Sequence, residues 1–108
     1  MRILLDECLP QDFCNSFVGH ECRSAQPSGF GGKKNGELLT LAEQAGFDVL
    51  ATVDKNIPRQ QNLRSRAIAL LIIRSRSNRL ADLLPLVPAC LNALASIKAG
   101  EVVRVAGS

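Results

Sequence analysis

Residues 67–73 read AIALLII, seven apolar residues with no polar interruption. The run is far too short to cross a bilayer. It does not alternate, so it describes a strand covered on both faces rather than one with a wet side. Such strands occupy parallel sheets with helices above and below. Two further segments have the same character. Residues 2–5 read RILL and end at Asp6-Glu7, and residues 48–53 read DVLATV and end at Asp54. These two runs therefore each deliver a carboxylate to their C-terminal end.

The segments between the runs supply the helices. Pro10 suits a first helical turn, and Phe13 and Phe17 at i, i+4 predict a short helix over residues 10–17, closed by Gly19. Residues 20–24 read as a weak, polar strand near a sheet edge. The Gly-rich stretch 26–34 predicts a mobile loop. Asn35 is a good N-cap for a helix whose apolar face is Leu38, Leu39, Leu41, Ala42 and Ala45, with Glu37 in its first turn and Gly46 as its C-cap. Residues 55–66 form a basic connection broken by Pro58. A long helix then carries the stripe Leu80, Leu83, Leu84, Val87, Leu91, Leu94, with a kink or split expected at Pro85 and Pro88. Gly100 ends it, and residues 101–105 make a last strand. Strands alternating with helices predict one domain over residues 1–108. Its expected fold is a three-layer α/β/α arrangement around a mostly parallel central sheet of four to five strands.

Size and composition narrow the function. A chain of 108 residues buries roughly 65% of its unfolded surface, enough for one core without obligatory disulfides or metal. At 46% hydrophobic and 21% charged, it is neither disordered nor a disulfide-dense mini-protein. Four Phe and no Trp or Tyr argue against a module that stacks several bases on aromatic rings. The N-terminus places two carboxylates four residues after its only early base, which does not fit a signal peptide, so a cytoplasmic protein with no membrane association is expected. Cys8, Cys14, Cys22 and Cys90 form no CxxC pair and are expected to be free thiols acting as small apolar residues.

Charge is segregated along the chain. Residues 1–54 carry eight acids and four bases, whereas residues 55–81 carry seven bases and no acid. Lys55, Arg59, Arg64, Arg66, Arg74 and Arg76 are candidate nucleic-acid contacts, since the planar guanidinium matches phosphate oxygens. In parallel sheets, ligand sites lie beyond the C-terminal strand ends. Asp6 and Asp54 occupy that position, and Glu37 begins a helix facing the same edge. Three converging carboxylates need a compensating cation, and an all-oxygen donor set prefers Mg²⁺ or Mn²⁺. A hard ion beside a cationic surface suits attack of water on a phosphodiester.

The opening RILLDECLP resembles the LLDENLP-type start of a short bacterial PIN-like family. GHECRSA, NGELLTLAEQAGFDVLATVDKN, and QQNL followed by AIALLIIRSRSNRLADLLPLVP continue the likeness over about 100 residues. The resemblance implies a metal-dependent ribonuclease with Asp6, Glu37 and Asp54 as metal ligands and catalytic acids. Thr52 would be the positioning hydroxyl of T-x-D. It also implies an RNA substrate and, as one setting, the toxin of a toxin–antitoxin pair with an antitoxin protein as partner. The sequence departs from the family at Cys8, in place of Asn, and at Asn56, where a further acid is often found. Those departures motivate an alternative, a non-catalytic RNA- or protein-binding module on the same fold. A phospho-receiver reading needs a late Lys after a strand, whereas Lys98 falls in the last helix. The Leu-rich final helix is suited to pairing with a second copy, so a homodimer is an expected assembly.

Overall fold

The computed structural model describes residues 1–25, 35–54, 57 and 62–106. The Gly-rich stretch 26–34 and the positions of Lys55, Asn56, Pro58 and Arg59 lie outside the described residues, as does the side chain of Asn35. In chain order the elements are β1 (Arg2–Leu5), a 3-10 helix (Gln11–Ser16), β2 (Glu21–Ser24), α1 (Asn35–Gln44), β3 (Val49–Thr52), β4 (Ala69–Arg74), α2 (Leu80–Leu83), a 3-10 turn (Leu84–Leu86), α3 (Val87–Ser96) and β5 (Val102–Ala106).

The strands form one five-stranded sheet in the order β2-β1-β3-β4-β5, and every pairing is parallel. Strand alternation divides the core into two layers. Ile3, Leu5, Val49, Ala51, Leu71 and Ile73 face the 3-10 helix, α2 and α3. Leu4, Leu50, Leu70 and Ile72 face α1 on the other side, with Leu38, Leu39 and Ala42. This is the expected three-layer α/β/α architecture. The AIALLII run explains itself here, because β4 has neighbours on both edges and helices on both faces. Each fully buried Leu or Ile in it contributes about 1.5–3 kcal/mol of transfer free energy.

The helix expected over residues 10–17 is a 3-10 helix at Gln11–Ser16 rather than an α-helix. Pro10 is extended (φ −67°, ψ 141°), and the Phe13 amide donates to the Pro10 carbonyl three residues back at 3.0 Å. Phe13 and Phe17 still meet, edge to face, with centroids 5.1 Å apart. The predicted long final helix is divided into α2, a 3-10 turn and α3. Pro85 and Pro88 each sit in the first two positions of the piece they begin, where a missing N–H costs nothing. Most of this stripe packs on its own sheet, with Leu83 and Leu94 buried, Leu80, Val87 and Leu91 partly buried against the core, and Leu84 left exposed; Leu86, outside the stripe, is buried too. Lys98 lies beyond α3, between it and β5.

Arg2 locks the N-terminal edge of the sheet. Its Nη1 donates to the Ala45 carbonyl at 2.6 Å, its Nε to Glu21 at 2.6 Å, and its guanidinium lies 4.6 Å over the Phe47 ring. Gly46 has a φ of +85°, which strains any other residue, and a Cβ there would also stand 2.8 Å from that guanidinium and displace the end of the Arg2 side chain.

Candidate functional site

The 2-1-3-4-5 strand order has its topological switch point between β1 and β3, where the chain leaves β1 outward to β2 and returns on the other side. Crevices at such points are the ligand sites of open α/β sheets. Asp6 follows β1 and Asp54 follows β3, so the two carboxylate-bearing residues flank this point.

Thr52, the last residue of β3, joins them. Its hydroxyl is fully buried and donates to Asp6 Oδ2 at 2.8 Å. The same oxygen accepts the Asp54 backbone N–H at 3.1 Å. The Asp6 backbone N–H extends the ladder to the Ala51 carbonyl at 2.9 Å, and the Asp6 carbonyl accepts from Leu9 at 2.9 Å. Both ends of the arrangement are thus held by strand backbone, and one hydroxyl fixes the first carboxylate relative to the turn bearing the second.

Cys8 belongs to this site, which the sequence reading had not assigned it. Its thiol contacts the Val53 backbone, Thr52 and Asp6; burial, reinforced by the Asp6 charge, pushes it above the ordinary thiol range. It forms a half-buried wall of the site, and its raised thiol is less disposed to ionise than a free cysteine. The sequence signals were its place two residues after Asp6 and its standing where the LLDENLP-type opening has Asn.

Glu37 lies exposed in the first turn of α1. Among the described residues, no group of three or more His, Cys, Asp or Glu side chains is arranged to hold a metal ion. The structure therefore couples Asp6, Thr52 and Asp54 and does not add Glu37 to them as a third ligand.

The basic segment does not form one face. Arg74 and Arg76 are exposed at and beyond the C-terminal end of β4, on the Asp6–Asp54 edge. Arg64 and Arg66 precede β4 and lie at the opposite edge. There Arg66 is held by Thr40 Oγ1 at 3.1 Å and Glu43 at 3.4 Å, and the Arg64 carbonyl abuts Gly100. The six residues of β4, rising about 3.3 Å each, separate the two pairs. The expected single cationic surface is corrected to a split one. Lys55 and Arg59 lie outside the described residues.

Next to Asp54, Val53, Ile73 and residues 74–78 line a groove of ≈ 290 Å³. Its wall is braced by Asp82, whose carbonyl accepts from Ser75 Oγ at 3.1 Å and whose carboxylate accepts from Ser77 Oγ. The Arg79 N–H closes the loop onto Ser77 Oγ at 3.0 Å. Arg74 and Arg76 have no carboxylate partner among the described residues, which leaves both guanidiniums available to an anion at the groove.

Comparison with family models, with curated proteins and with solved structures found no match to this chain.

Proposed function

We propose that this chain is a PIN-like, divalent-metal-dependent ribonuclease acting from the C-terminal edge of its sheet, of the kind that serves as the toxin of a toxin–antitoxin pair. The supporting observation is the Asp6–Thr52–Asp54 arrangement at the switch point, beside a groove bearing two arginines that have no carboxylate partner among the described residues. The donors are all oxygen and suit Mg²⁺ or Mn²⁺. Two carboxylates are sufficient for such an ion, which keeps most of its waters. Asp6 and Asp54 are accordingly the residues that would hold it, without Glu37. When bound, the ion supplies Lewis acidity to the phosphodiester and makes a nearby water more acidic.

The chain's own residues do the rest. Thr52 fixes the Asp6 carboxylate by donating to it. Arg74 and Arg76 offer planar donors to phosphate oxygens and hold the RNA backbone along the groove. Cys8 and Val53 keep one side of the site partly dry. The substrate class places the activity in the cytoplasm, where RNA is present and thiols stay reduced.

The test is incubation of the full chain with single-stranded RNA in Mg²⁺ or Mn²⁺. Cleavage is expected, with loss on chelation and a drop of about a hundredfold or more in Asp6→Asn and Asp54→Asn. Cleavage that survives both substitutions overturns the assignment. That no three such side chains among the described residues are arranged to hold a metal favours a second reading, a non-catalytic RNA- or protein-binding module. Under it RNA binds equally well with and without chelator and is never cut.

A further inference from the structure

Two cysteines outside the site are in direct contact. The Cys22 thiol donates to the Cys14 sulfur at 2.8 Å. Cys14 comes from the 3-10 helix, and Cys22 from edge strand β2, where it is in register with Ile3. Both are half-buried against the core layer that includes Phe13 and Phe17, and both are free thiols. A disulfide needs a sulfur separation of about 2.05 Å, so bond formation requires the two atoms to close by less than about 1 Å.

We propose that Cys14 and Cys22 form a reversible dithiol–disulfide site, oxidised by hydrogen peroxide and reduced by small thiols. The geometry assigns different roles to the two sulfurs. Cys14 accepts the Cys22 S–H, and the neighbouring Arg23 guanidinium favours its thiolate, partly offsetting the effect of burial. Cys22 has no such compensation, and burial together with Cys14 raises its thiol well above the ordinary range. Cys14 is therefore the attacking sulfur. Its thiolate attacks one peroxide oxygen, the O–O bond breaks, and the departing hydroxide is protonated to water, leaving a sulfenic acid on Cys14. The Cys22 sulfur then attacks that sulfur, the S–O bond breaks, and the hydroxide leaves with the Cys22 proton as a second water. Two thiols are oxidised by two electrons, and one peroxide is reduced to two waters. A thiol such as dithiothreitol reverses the step through a mixed disulfide. The bond ties the 3-10 helix to the edge strand and closes a short loop over residues 14–22.

The experiment treats the reduced full chain with hydrogen peroxide and follows thiol content, intact mass and peptide linkage. The wild type is expected to lose two of its four thiols and two hydrogens of mass, with Cys14 linked to Cys22. Its Tm should rise by about 10 °C, and dithiothreitol should reverse both changes. Cys22→Ser should stop at a sulfenic acid on Cys14 that dimedone traps. Cys90→Ser should behave as wild type. Retention of all four thiols, linkage through Cys8 or Cys90, or oxidation to sulfinic acid without a cross-link would each overturn the proposal, and the wild-type readings decide it even if a variant fails to fold.

Discussion

Thr52 carries its hydroxyl into a place closed to water and uses both of its hydrogen-bonding capacities there, one toward Asp6 and one from the Asp54 amide. Thr52→Val keeps the shape and removes both bonds. It leaves a carboxylate oxygen and an amide without their partner, so a loss of about 1–3 kcal/mol is expected in urea denaturation. Thr52→Ser, which keeps the oxygen, should recover most of that stability, and RNA cleavage should follow the same order. This residue was legible in the sequence as part of T-x-D. Its partner was not, because the strand alternation that names Asp6 says nothing of which neighbouring strand faces it. Cys8 and the Cys14–Cys22 contact were illegible for the same reason. A thiol beside a carboxylate, or beside another thiol 8 residues away, is created by strand pairing and helix packing and not by local pattern.

At the level of elements, hydrophobic runs identified the strands because parallel strands covered on both faces have no polar side to confuse the reading. The weak, polar segment 20–24 became edge strand β2 for the complementary reason: an edge tolerates exposed side chains. The basic segment was misread because one-dimensional charge density ignores direction. A strand through the middle of the segment sends its two ends to opposite edges. The prolines of the final helical segment were read correctly as a division. They also carry a prediction: Pro88→Ala, at the start of α3, should change stability by less than about 1 kcal/mol, since that position needs no amide donor. Ala93→Pro, in the middle of the same helix, should cost about 3 kcal/mol or more. Thermal denaturation of the two variants side by side checks the contrast.

Across the whole molecule, the edges of the sheet have different work. Arg2 and its partners Glu21, Ala45 and Phe47 close the N-terminal edge, and the two aspartates with Arg74 and Arg76 occupy the C-terminal one. RNA binding should therefore depend on only some of the arginines. Each phosphate contact to single-stranded RNA contributes about 0.7 to the slope of log affinity against log salt. Arg74→Ala or Arg76→Ala should weaken binding and flatten that slope by about 0.7, while Arg64→Ala should leave both unchanged; fluorescence anisotropy across a salt series measures this. The most direct test of a metal-bearing edge is titration of the isotopically labelled full chain with Mn²⁺, read by paramagnetic broadening of backbone amide signals. Asp6, Thr52 and Asp54 should broaden ahead of every other residue, and Asp6→Asn should abolish the effect. Broadening centred elsewhere, or none at all, would contradict the account.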